Sequence, residues 1–467
     1  MTRGALAGWV VALTLSCGPA SRFAGQGTGD FQYDVADPRC IPTKRDFTPT
    51  IRLVADGGVP DGGLLAWERA EVVVEGLPPC RPLDVIFGQA FGGIAYAVFQ
   101  ADFDGRVSST QAPLRGSWTG ADPDAPITTA EGNLFVQDVR VLADWGAGDY
   151  LELTWPRRTS SSGIDVLPVR GARGVFGDLY LPSTPPPWPV LIALGGPEGG
   201  LTVASEVART YVEQGYLVLA LSYWKTEGLP QAFTRIPLEY FLEAIELVKE
   251  YPGARADRIA LVGLSRGAEA ALLVGSVSPQ VKAVVAVVPS GLSWPAFDVW
   301  TEPSWTYRDA GVPYVPWANA MPQRRARPDG GEDVVLREVW GEALRRATPA
   351  ELEAATIPVE RIGGPVLLLA GQDDQVWPSC DFAESTFSRL VDAGHAARHP
   401  LDARVCYPGA GHVLNPGYVG LPMGRSAAFE REDGGVFDVF GGSPQVNGQA
   451  TREAWSRTNA FLEAALR

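Results

Sequence analysis

Histidine is almost absent. The 467 residues contain three, His395, His399 and His412, without the spacing of a ligand set, and the acidic pairs sit where helix caps would use them, so no metal cluster is expected and no cofactor is implied. Positive charge is short as well: 39 Lys and Arg face 54 Asp and Glu, a net charge of -15. That balance opposes nucleic acid or an anionic membrane surface as the main partner. The apolar run Gly4–Ser16 is too short for a membrane span, and no internal repeat stands out. The glycine-rich stretch Gly195–Gly200 lacks both a Gly-Lys-Ser/Thr ending and GxGxxG spacing, which sets a phosphate loop aside.

What is present centres on Gly263-Leu-Ser265-Arg-Gly267. The β-rich run Arg258–Leu264 stops at this Gly-x-Ser-x-Gly turn and the Ala/Leu-rich run Ala268–Gly275 follows at once, the strand-turn-helix context of a nucleophile elbow. Ser265 would sit at its tip, flanked by glycines because the turn strains the backbone and crowds its neighbours. A serine nucleophile needs a base and an orienting acid, which follow in chain order.

His395 and His399 lie in a polar helix end and loop and are expected at the surface. His412 instead follows the short strand Ala403–Tyr407 and the turn Pro408–Gly411, at a strand's carboxyl end where α/β sheets place their sites. The buried-type strand Pro365–Gly371 runs into Asp373 and Asp374. Asp374 is favoured as the acid, with Asp373 as its competitor; either is also suited to helix capping. The oxyanion needs two backbone N–H groups, one from Arg266. The other should come from the turn after strand Leu191–Leu194; Pro197 has no N–H, which leaves Gly196 or Glu198.

The front half reads as short alternating strands, Thr50–Val54, Ala70–Glu75, Asp84–Phe87, Ala97–Asp102, Leu134–Val141 and Asp149–Thr154, with turns at Asp104-Gly105 and Gly146–Gly148. This pattern argues for a β-sandwich.

These segments resemble the acyl-CoA thioesterase and bile acid-CoA:amino acid N-acyltransferase family. The likeness runs through Gly177–Pro182, Gly215–Trp224 with Leu229-Pro230, Leu238–Phe241, Gly263–Gly267, Ile357–Arg361, Gly371–Asp374, Tyr407–His412, Gly441–Pro444 and Ala454-Trp455. It implies an α/β-hydrolase domain, doubly wound on a mostly parallel sheet, at 164–467, preceded by an all-β immunoglobulin-like sandwich at 45–163. Within the family, cysteine at the nucleophile position accompanies acyl transfer to amino acids and serine accompanies hydrolysis. An oxygen ester is less suited to aminolysis than a thioester, so Ser265 favours a hydrolase of a small acyl thioester or ester, with the N-acyltransferase as the lesser option.

The start departs from that family. Met1–Arg3, the apolar run and the small residues after it read as an export signal over 1–24, either of the lipoprotein type with Cys17 as a lipid anchor or cleaved near Ala20 or Ala24. A flexible Gly/Ser/Asp-rich tether follows over 25–44. Such a chain is periplasmic or a membrane-anchored lipoprotein, where acyl-CoA is scarce. Export permits disulfides, and the domain layout suggests Cys40 with Cys80 and Cys380 with Cys406, unless Cys406 is a buried strand cysteine. An insertion at about 291–356 carries Trp294, Phe297, Trp300, Trp305, Tyr307, Tyr314 and Trp317, which either line an acyl pocket beneath a lid or form the lid's own core. Arg324, Arg325 and Arg327 there suit substrate phosphates or an exposed loop. Two further readings are a dienelactone-hydrolase-type carboxylesterase or peptidase, which would lack the β-domain, and a non-catalytic surface lipoprotein, against which the complete set Ser265, Asp374 and His412 weighs.

Overall fold

The computed structural model describes residues 37–467 apart from 44–45, 56–62, 66–67, 90–93, 123–138, 147–149, 159–162, 298, 319, 327–331, 415–428, 431–435 and 439. The expected export signal, Cys17, most of the expected tether, residues 134–138 of the expected strand Leu134–Val141 and Arg327 lie outside the described residues.

The C-terminal part is organised by eight strands, the central ones buried along nearly their whole length. They are β1 (Asp165–Ala172), β2 (Val175–Leu181), β3 (Trp188–Leu194), β4 (Leu217–Ser222), β5 (Ala254–Leu264), β6 (Val281–Val287), β7 (Val366–Gly371) and β8 (Ala403–Tyr407). Their order is β1-β2-β4-β3-β5-β6-β7-β8. β2 is antiparallel to β1 and β4, and the remaining pairs are parallel. This is the sheet of an α/β-hydrolase.

Parallel strands buried on both faces must be apolar at every position, and β3 and β4 are buried at each residue. Alternate residues feed opposite layers. Val190, Ile192 and Leu194 join the face covered by α2 (Leu238–Lys249) and α3 (Arg266–Val277). Leu191 and Ala193 join the face covered by α1 (Thr202–Val212) and the terminal helix α8 (Pro444–Leu466). Between β6 and β7 the insertion contains α4 (Arg337–Arg346) and α5 (Pro349–Ala355); α6 (Ser379–Asp392) and α7 (His395–Arg398) precede β8.

Ahead of this lies an all-β unit. An antiparallel sheet of Thr50–Ala55, Ala70–Glu75 and Val107–Ser108 faces a five-stranded antiparallel sheet of Arg115–Gly116, Ile94–Gln100, Pro82–Gln89, Val139–Asp144 and Tyr150–Trp155. Val72, Val74, Val85, Phe87, Phe99, Val141 and Trp118 close one core between them, the arrangement of a two-sheet sandwich. The unit touches α8: Thr119 exchanges two backbone hydrogen bonds with the Gln445 amide, and Gln449 donates to Asp122.

Both disulfides form as the domain layout suggested. Cys40 joins Cys80, which ties the segment ahead of the first strand to the sandwich, and Cys380 joins Cys406 across α6 and β8. One expectation is corrected. His395 is fully buried: its Nδ1 lies 2.6 Å from Asp402 and its Nε2 2.9 Å from the Ile362 carbonyl. Its polar sequence neighbours concealed a pocket closed by residues distant in the chain. His399 is half-buried beside it. Among the described residues no helix is long and apolar enough to cross a membrane, and no group of three or more His, Cys, Asp or Glu is placed to hold a metal.

Replacing Cys380 and Cys406 together by Ser should lower stability by about 3.5 kcal/mol on the chain-entropy scale for a loop of this size, read from denaturant unfolding. Peptide mapping without reduction should recover both bridges.

Candidate active site

Ser265 stands where β5 turns into α3, with φ 55° and ψ -117°. A non-glycine residue rarely holds this left-handed backbone, which persists only where its surroundings enforce it. They do so through glycines. A Cβ on Gly263 would stand 2.1 Å from the Gly267 carbonyl oxygen, and one on Gly267 would stand 2.2 Å from that of Gly195. The Ser265 N–H is fixed to the Val287 carbonyl at 2.9 Å.

The loops after β7 and β8 bring the partners. His412 Nε2 is 2.9 Å from Ser265 Oγ, and His412 Nδ1 is 2.8 Å from Asp374 Oδ2. All three are buried. Asp374 turns its other oxygen to the Val376 and Trp377 N–H groups at 2.9 and 3.1 Å, so a full set of hydrogen bonds holds the carboxylate toward the imidazole. Asp373 points elsewhere, accepting the Gly442 N–H at 2.9 Å. The aspartate that faces the histidine is therefore Asp374, and its neighbour braces the next loop.

The histidine is positioned by residues that no motif revealed. Its ring lies parallel to Phe440 and meets the edge of Trp377, while the His412 backbone N–H donates to the Phe440 carbonyl at 2.7 Å. Asn447 in the first turn of α8 is buried; it accepts the Gly411 N–H at 2.7 Å and donates to the Gly441 carbonyl at 3.1 Å, joining the two loops. Polar residues in a helix's first turn usually read as solvated, and only the fold turns this one inward.

At the expected oxyanion loop, Gly196 donates its N–H to the Glu198 carboxylate at 3.0 Å. Tyr223, from the end of β4, supports the loop by donating to the Gly195 and Gly196 carbonyls at 2.7 and 3.2 Å. Arg266 occupies the first turn of α3, where an N–H has no acceptor within its helix.

The Arg266 side chain is also buried, and it pairs with buried Glu269 at 2.8 Å. Burial pushes both groups toward their neutral forms, and their mutual attraction opposes it. The pair binds the insertion from below: Glu269 accepts the Trp294 N–H and the Trp305 indole N–H at 3.1 and 2.7 Å, and Arg266 donates to Ser304 and the Trp294 carbonyl. The guanidinium lies over Phe233, Phe297 and Trp305, a favourable cation–π geometry. Trp294 and Trp305 are thus core residues, while Trp300 and Trp317 stack 4.0 Å apart and remain partly exposed. The strand Gln323–Ala326, with Arg324 and Arg325, is exposed. Serine, imidazole and carboxylate linked in this order can deprotonate the hydroxyl for attack on an acyl carbon.

A family model described as "BAAT / Acyl-CoA thioester hydrolase C terminal" matches residues 236–467. Acyl-coenzyme A thioesterase 1 of Rattus norvegicus is 30% identical over 86% of this chain and 95% of its own length. The chain belongs to this family. Mitochondrial acyl-coenzyme A thioesterase 2 of Mus musculus is 29% identical over 87% of this chain and 88% of its own. Among solved structures, a dienelactone hydrolase described as putative, from Klebsiella pneumoniae, aligns with 65% of this chain and 99% of its own at a TM-score of 0.40 and 16% identity.

Asp374→Asn should lower kcat by about 10⁴-fold, the effect of imposing the wrong histidine tautomer, whereas Asp373→Asn should cost far less; steady-state hydrolysis of a chromogenic ester separates the two. Glu269→Ala, which strands the Arg266 charge, should destabilise the fold by about 3–5 kcal/mol in chemical denaturation.

Proposed function

We propose that this protein is a serine hydrolase that cleaves an acyl thioester or ester through an acyl-enzyme on Ser265. The observation that carries the reading is the continuous hydrogen-bonded chain from Ser265 Oγ through His412 to Asp374, in a member of a thioester hydrolase family.

His412 Nε2 takes the Ser265 proton as Oγ attacks the carbonyl carbon, and Asp374 stabilises the resulting imidazolium. Collapse of the tetrahedral intermediate breaks the carbon–sulfur or carbon–oxygen bond, and the departing thiol or alcohol receives that proton. Water, deprotonated by the same histidine, then releases the acid and restores Ser265. Backbone N–H groups of Arg266 and of the Gly196–Glu198 turn serve the oxyanion. Serine as nucleophile favours hydrolysis over transfer to an amine.

The chain is exported, either tethered to a membrane through a lipid on Cys17 or free after cleavage near Ala20 or Ala24, and the front sandwich is of the immunoglobulin type. Two disulfides support an oxidising compartment, where the substrate is an acyl ester or thioester other than acyl-CoA.

Hydrolysis of paired acyl-CoA and p-nitrophenyl acyl esters of varied chain length, wild type against Ser265→Ala, tests this reading. The wild type should cleave the simple esters in preference, and Ser265→Ala should lose roughly 10⁴–10⁶-fold in kcat. Cleavage confined to acyl-CoA would refute the substrate assignment, and activity that survives Ser265→Ala would refute the acyl-enzyme.

A further inference from the structure

The turn expected to receive the oxyanion already holds an anion. Gly196 donates its N–H to Glu198 Oε1 at 3.0 Å, and the Glu198 N–H turns to the same carboxylate. A Cβ built on Gly196 would stand 2.9 Å from Glu198 Oε2 and 3.7 Å from Ser265 Cβ, so the carboxylate and the nucleophile flank the same glycine. A carboxylate also matches a tetrahedral oxyanion in charge and in its demand for two N–H donors. Resting on the serine hydrolase reading above, we propose that the Glu198 carboxylate occupies the oxyanion site of the resting enzyme and that the substrate carbonyl oxygen must displace it before Ser265 can attack.

The turn is built to let this side chain leave. Gly199 and Gly200 follow it with φ +72° and +65°, conformations that cost glycine little. Glu198 is an exposed residue whose carboxylate lies against the Gly195-Gly196 backbone. Lys225 waits outside, its Nζ 3.5 Å from the Glu198 carbonyl oxygen, a cation toward which a displaced carboxylate can swing. The other charged and titratable neighbours are committed elsewhere: Tyr223 to the loop carbonyls, Arg266 to Glu269 and His412 to Asp374. Desolvation is the largest influence on the Glu198 carboxyl and raises it, against the two backbone N–H groups and the Lys225 charge.

Displacement is a toll on the entry of the carbonyl oxygen, so it weighs on ground-state binding more than on the chemical step. The full chain is compared as wild type, Glu198→Ala and Glu198→Gln, using steady-state hydrolysis of p-nitrophenyl butyrate and the rate of inactivation by an uncharged alkyl fluorophosphonate. Removing a charge-assisted hydrogen bond should raise kcat/KM about tenfold in Glu198→Ala, through a lower KM with kcat little changed. Glu198→Gln, neutral but still able to accept from Gly196, should give a smaller rise, and inactivation should quicken in the same order. A fall in kcat on Glu198→Ala that Glu198→Gln restores would mean that the side chain builds the loop instead of occupying it, and would overturn the proposal. So would labelling of Ser265 that proceeds equally in all three proteins. Failure of wild type and both variants alike to be labelled would overturn the hydrolase reading together with this one.

Discussion

The site depends on four chain segments approaching more closely than any side chain permits. The turn after β3, the elbow between β5 and α3, and the loops after β7 and β8 meet at glycines whose Cβ positions fall on neighbouring carbonyl oxygens: Gly267 against Gly195, Gly263 against Gly267, and Gly371 against Gly411. Ser265 pays for this convergence with a left-handed backbone. In return the Ser265 hydroxyl and the His412 imidazole stand at hydrogen-bonding range with Gly196 close beside them, which loosely packed loops would not achieve.

Around this point the protein spends polar groups in its interior. The Arg266–Glu269 pair is wholly buried, and such a pair is weak evidence for stability because desolvation offsets its attraction. Its geometry indicates what it accomplishes. One turn beyond the nucleophile, it collects two N–H donors and two acceptors from Trp294, Ser304 and Trp305, so the insertion between β6 and β7 is fastened to the helix that carries Ser265. The aromatic residues of that insertion divide accordingly into a buried anchor and a partly exposed stack.

Asn447 performs the matching task for the histidine. It ties the His412 loop to the segment that supplies Phe440 and Gly442, and the same turns of α8 carry Gln445 and Gln449, which contact the β-sandwich at Thr119 and Asp122. The sandwich therefore bears directly on the helix that orients the base.

The strand-turn-helix context of Ser265, the single histidine at a strand end, and the alternating strands of the front half were legible from sequence because each is a local pattern with a local physical cause: period, turn chemistry, or a glycine where the backbone needs one. The sequence alone thus determined the α/β-hydrolase class and singled out Ser265 and His412, which the structure brings into contact. It left two adjacent aspartates equivalent, because which of them faces His412 is decided by how Gly371–Val376 turns between two loops. It likewise concealed the burial of His395 with Asp402, the fate of Arg266 and Glu269, and the inward fold of the Glu198 carboxylate. The first two depend on Ile362 and on Trp294, Ser304 and Trp305, far away in the chain, whose contacts exist only once the sheet has assembled; the last depends on how the turn after β3 folds, and tertiary structure alone decided all three.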